Sequence, residues 1–151
     1  MASAGPESTP TLQVRRTFRQ PPEKVFAAWT QAEALKRWFG PSDEYEIVLT
    51  AFDPQPGGTY RLEMRHIRGN VHALGGRYLA VEPPHRLSFT FRWEEPQMDV
   101  GETVVTLEFT ARDGGTEMLL THDRFPNLEA RDRHMQGWSG SLARLEQQLA
   151  P

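Results

Sequence analysis

Five histidines, His66, His72, His85, His122 and His134, are the side chains of this 151-residue sequence best suited to exchange a proton near neutral pH. None stands in a His-x-x-x-His or comparable ligand spacing, and the chain has no cysteine. No metal site, disulfide or thiolate nucleophile is therefore expected, and no cofactor. His85 follows Pro83-Pro84 and reads as a surface group in a turn. His66 extends the strand face of Tyr60, Leu62 and Met64; His122 extends that of Met118 and Leu120; His134 lies four residues before Trp138, on or beside a helical stripe. His72 depends on a hairpin, since a three-residue loop keeps it on the face of His66 and a four-residue loop turns it away. Each could serve as a base in a pocket, or be a solvated or singly hydrogen-bonded imidazole at a strand end, which is the commoner use. Arg131, one helical turn before Met135, could pair a ligand carboxylate at a cavity rim or snorkel to water. There is no Ser-His-Asp set, no glycine-rich phosphate loop opening a helix and no pair of carboxylates on one inferred face.

The element that must position these groups is the last one, Leu128 to Leu149. Met135, Trp138, Leu142, Leu145 and Leu149 recur at steps of three and four, which places them on one apolar stripe, with Arg133, Arg144 and Glu146 on a charged back. Asn127 is its expected N-cap. Upstream, Leu12 to Arg19 alternates as a first strand, and Gln20-Pro21-Pro22-Glu23 then starts a short helix from Glu23 to Trp29. Thr30-Gln31-Ala32-Glu33 has the capping-box pattern and predicts a second short helix to about Arg37. Strands follow over Tyr45 to Phe52, Thr59 to His66, Val71 to Val81, Leu87 to Trp93, Thr103 to Thr110 and Thr116 to His122, separated by proline and glycine turns. The expected fold class is α+β, with about seven antiparallel strands, two short helices after the first of them and one long terminal helix.

Net charge is -3 and the arginines are scattered, so the footprint of a nucleic-acid binder is missing. Met1 to Pro10 has neither a basic start nor an apolar core; it reads as a disordered tail rather than a signal peptide, ahead of a single domain over residues 11–151. No apolar run approaches the ~20 residues that span a bilayer, so no membrane partner is expected. The absence of cysteine fits a reducing compartment, and the cytoplasm is the expected location.

The middle strands carry Tyr60, Leu62, Met64, Phe89, Phe91 and Trp93 on inward faces, with one long helix to cover them. A curved sheet around one helix can leave a hollow. Gly137 and Gly140 in the helix interior each cost roughly 0.5–1 kcal/mol relative to Ala, which implies close approach or reserved space.

Pro22-Glu23-Lys24-Val25-Phe26-Ala27-Ala28-Trp29-Thr30, Arg37-Trp38-Phe39-Gly40-Pro41, Pro56-Gly57-Gly58-Thr59-Tyr60-Arg61, Gly76-Arg77-Tyr78 with Glu82-Pro83-Pro84-His85-Arg86-Leu87, and Gly137-Trp138 ahead of Leu142 and Leu145 occur in an order that resembles the AHSA-type branch of the START-like (SRPBCC) superfamily, AHSA standing for activator of heat-shock-protein ATPase homologue. The resemblance implies a helix-grip fold, a curved antiparallel sheet wrapped around a long C-terminal helix with a deep apolar cavity, whose mouth Trp38 and Phe39 would shape. It implies no single function. The leading expectation is non-enzymatic binding of a small hydrophobic or aromatic molecule. Its site would draw on Trp38, Phe39, Tyr60, Leu62, Met64, His66, Phe91, Trp93, His122, Arg131, His134, Met135 and Trp138. The alternatives are a cyclase, isomerase or hydrolase-like enzyme using a cavity histidine, and a chaperone-interacting module. A homodimer through sheet or helix edges is compatible with each.

Overall fold

The computed structural model describes residues 9–151; the expected tail lies, up to residue 8, outside the described residues. Along the chain the elements are β1 (Leu12–Phe18), α1 (Pro22–Thr30), α2 (Ala32–Trp38), β2 (Tyr45–Phe52), β3 (Thr59–His66), β4 (Val71–Glu82), β5 (Arg86–Trp93), β6 (Thr103–Arg112), β7 (Gly115–Asp123) and α3 (Leu128–Gln148). This is the expected α+β helix-grip architecture. Proline breaks β1, and Pro22 opens α1 in its first turn, where a missing N–H costs nothing. Asn127 caps α3, its side-chain oxygen accepting from the Ala130 N–H at 2.8 Å.

The capping box does not form. Thr30 Oγ1 donates back to Phe26 O at 3.1 Å as the last residue of α1, and Gln31 is the N-cap of α2 without a side-chain bond. With α1 running through Thr30, its hydroxyl finds the carbonyl one turn behind before it can reach forward.

The seven strands form one antiparallel sheet in the order β1-β7-β6-β5-β4-β3-β2. After β1 the chain crosses by α1 and α2 to the opposite edge, then meanders back strand by strand until β7 pairs with β1. Leu142 and Leu145 of the lower half of α3, with Leu149 at its C-cap, are buried in one hydrophobic cluster with Leu12, Val14, Val25, Phe26, Leu107 and Met118. That half plugs the core. The upper half touches the sheet through rings, His134 and Trp138 lying against Phe91 of β5 and His122 of β7.

Candidate functional site

Between the upper half of α3 and the facing side of β3, β4 and β5 lies a cavity of about 260 Å³, partly open to solvent. Its sheet wall is Met64, His72, Phe91 and Trp93; its helix wall is Arg133, His134, Gly137, Trp138 and Ser141. Phe39, Gly40 and Pro41 after α2, Tyr45 at the start of β2 and Met98 in the loop after β5 complete the rim. The lining is chiefly aromatic and thioether, a surface that suits a flat apolar molecule.

Six of the thirteen residues expected to form the site stand on this wall: Phe39, Met64, Phe91, Trp93, His134 and Trp138. Seven do not. Trp38 is fully buried behind Phe39, with its indole N–H donating to Ala28 O at 3.0 Å. Tyr60 turns its hydroxyl to Thr90 O at 2.7 Å and packs with Tyr78 and Phe89; burial raises its pKa well above the ordinary phenol value. Leu62 is core. His66 sits at the outer end of β3 against the Tyr45 ring, bonded to Glu44. Arg131 pairs with Asp132 on the surface, and Met135 packs on the core. His122 is wholly buried behind Trp138. The cavity-facing arc of α3 is turned by about one residue step, roughly 100°, from the one expected. It therefore takes Arg133, Gly137 and Ser141 in place of Arg131 and Met135.

Two histidines are held by tryptophans. Trp138 Nε1–H donates to His122 Nδ1 at 3.0 Å, which leaves the imidazole proton on Nε2, where it is donated to Thr103 Oγ1 at 2.7 Å. Thr103 in turn donates to Phe91 O at 2.8 Å. Trp93 Nε1–H donates to His134 Nε2 at 3.0 Å, and His134 Nδ1–H donates to Ala130 O at 2.7 Å. An indole can only donate, so each histidine has spent its one lone pair on it. Protonating either ring would set two donors face to face. Burial lowers both pKa values, His122 well below 6.5, helped by His134; His134 is lowered further by the charge of Arg133 against a raising bond to Ala130 O. The two rings lie 5.4 Å apart, yet neither offers a nitrogen to a substrate.

His66 is also fully engaged, accepting from the Arg68 N–H at Nδ1 while Nε2 meets Glu44. His72 differs. The β3–β4 ladder sets it opposite Met64, with the Asn70 carbonyl accepting from the His66 N–H, so the turn has three residues and His72 keeps the cavity face. Its Nδ1 meets Glu95 Oε2 at 2.8 Å. Its Nε2 has no partner among the described residues. Met98 and Glu95 sit in an irregular loop, and no periodicity in the sequence points to either.

The rim is fixed by α3. Arg144, expected on the charged back, donates from Nη1 to Phe39 O and Gly40 O at 3.0 and 3.2 Å and from Nη2 to Arg37 O at 3.2 Å. Gly40 takes φ 105°, a conformation that favours glycine, and donates its N–H to Ser141 Oγ at 3.1 Å. A Cβ on Gly140 would stand 2.7 Å from Pro41 O, so this glycine is a close approach. Arg144→Ala is expected to cost about 2–3 kcal/mol in urea denaturation, and Lys to recover only part of it, because a point charge cannot span three carbonyls. A loss under about 0.5 kcal/mol would mean that the clasp carries no stability.

A family model described as Activator of Hsp90 ATPase homolog 1-like protein matches residues 19–150. The chain belongs to this family. No curated protein matches it significantly. Among solved structures, a protein of Chromobacterium violaceum is 26% identical with a TM-score of 0.84, covering 94% of this chain and 99% of its own. The AHSA1 protein of Silicibacter pomeroyi is 26% identical with a TM-score of 0.82, covering 93% and 97%. A protein of Rhodobacter sphaeroides is 31% identical with a TM-score of 0.78, covering 94% and 93%. The fold of this AHSA1-family chain is thus the START-like one. No helix among its described residues is long and apolar enough to cross a membrane.

Proposed function

We propose that this AHSA1-family protein binds a small, mainly apolar aromatic molecule in the cavity between sheet and α3, without chemically changing it. The observation that carries the reading is Gly137. It lies in the middle of α3, on the cavity wall, and a Cβ built there meets nothing within 4 Å. An interior helical glycine costs about 0.8–1.0 kcal/mol relative to Ala, and neither packing nor backbone geometry requires one here. Reserved space accounts for it. The volume lies just below the ~300–1,000 Å³ usual for ligand pockets, which suits one or two rings rather than a long lipid. The engaged lone pairs of His122 and His134 favour binding over base catalysis by either of them. The cavity is complete within one chain, so binding needs no second copy. The reading takes residues 11–151 as one domain working in the cytoplasm, in keeping with the absence of cysteine.

The test is a panel of one- and two-ring aromatic compounds followed by thermal shift. A compound at 100 times its dissociation constant should add ~2.7 kcal/mol to the folded state. Gly137→Ala should stabilise the unliganded protein by about 1 kcal/mol, and Gly137→Leu should fold yet bind the same compounds at least about tenfold more weakly. Unchanged affinity in Gly137→Leu would place the binding elsewhere.

A further inference from the structure

His72 is the one histidine of the cavity wall with a ring nitrogen to spare. Glu95 Oε2, a carboxylate oxygen, can only accept, so the proton of a neutral His72 ring sits on Nδ1, 2.8 Å away. The lone pair is thereby fixed on Nε2. The imidazole is partly buried in β4 opposite Met64, so strand pairing sets where it stands, and the carboxylate sets its tautomer. The second oxygen of Glu95, Oε1, is buried and has no partner among the described residues. Of the pair only His72 lines the cavity, so Nε2 is the unspent acceptor the pair can offer there. A bound ring would shield His72 Nε2 from water, and a ligand that brings its own donor avoids leaving that acceptor unpaired.

Building on the binding reading above, we propose that the His72–Glu95 pair is the polar anchor of the cavity, and that the ligand is an aromatic molecule whose hydroxyl donates to His72 Nε2. The local charge selects against an anion. Glu95 would repel a carboxylate held at His72, and Arg133, the cation of the lining, is exposed to solvent and makes no ion pair among the described residues. A neutral hydroxyl supplies the one donor that His72 Nε2 lacks and leaves Arg133 in water. Met64, Phe91 and Trp93 would hold the ring of the ligand beside the anchor.

The test uses three probes with one ring system, 2-naphthol, naphthalene and 2-naphthoate, titrated at neutral pH into the full chain. The expected order is naphthol first, by about tenfold over naphthalene, with naphthoate weaker than naphthol. In His72→Leu, checked for folding by circular dichroism, naphthol should fall to within about twofold of naphthalene while naphthalene itself is retained. The wild-type ring-nitrogen NMR resonance of His72 should shift with naphthol and not with naphthalene, a readout that needs no variant. Equal affinity for naphthol and naphthalene in the wild type, or a stronger hold on naphthoate, would overturn the anchor and leave the cavity reading standing. Failure of all three probes to bind would overturn both.

Discussion

Replacing His122 by Ala is expected to destabilise the protein by about 4 kcal/mol, the largest single-residue effect foreseen here. The ring is fully buried, so its loss opens a void among Phe91, Phe125 and Trp138. It also strands the Trp138 indole N–H, whose acceptor at 3.0 Å is His122 Nδ1. Gln places an acceptor and a donor on one planar group, so His122→Gln should recover roughly half of the loss. Urea denaturation of the three proteins decides it. A cost below about 1 kcal/mol for Ala would mean that the chain from Trp138 through His122 and Thr103 to Phe91 O is not a structural unit.

The same chemistry makes stability fall with mild acid. Folding lowers the pKa of both His122 and His134 through burial, and in the unfolded chain both titrate near 6.5. Their contribution is complete above about pH 6.5 and is lost as pH falls toward the lowered folded values, because the unfolded chain takes up protons that the folded one refuses. The two histidines act in the same sense, so their losses add as the pH falls. The carboxylates held down by arginine, Glu63 by Arg65 and Arg61, Glu94 by Arg61 and Asp99 by Arg92, lose their contributions only below their ordinary values of 4.5 and 3.8. The interval from about pH 6.5 to about pH 5 therefore belongs mainly to the histidines. Urea midpoints that stay level or rise on acidification through that interval would contradict the buried neutral assignment.

Much of this was readable in the sequence where local pattern dictates structure. Alternation in β3, β5 and β6, the α3 stripe, Asn127 as its cap and the proline turns all act through near neighbours, and each appears in the fold. The site was less legible because its parts meet across long separations. Helical periodicity marks Trp138 as inward, but it cannot tell which flank faces a void and which faces packed β-sheet; hence Arg133 and Gly137 replaced Arg131 and Met135 on the wall. Glu95 lies 23 residues from His72 in an irregular loop, and no spacing rule links them. Arg144, on the polar side of the stripe by pattern, clasps carbonyls more than a hundred residues upstream. Capping boxes are local too, yet Thr30 shows a hydroxyl with two near options taking the one that the preceding helix already presents.

The cavity has two kinds of wall, and that division bears on how such a protein can diverge. Phe39, Met64, Phe91 and Trp138 belong to the hydrophobic cluster that holds the fold, whereas His72, Met98, Arg133 and Gly137 do not. Changes in the first group would be penalised through folding whatever they did for a ligand. Changes in the second fall on a helix flank, a strand face and a loop that the core does not depend on. Substitutions at these few rim positions could therefore reshape the cavity while foldability is conserved underneath.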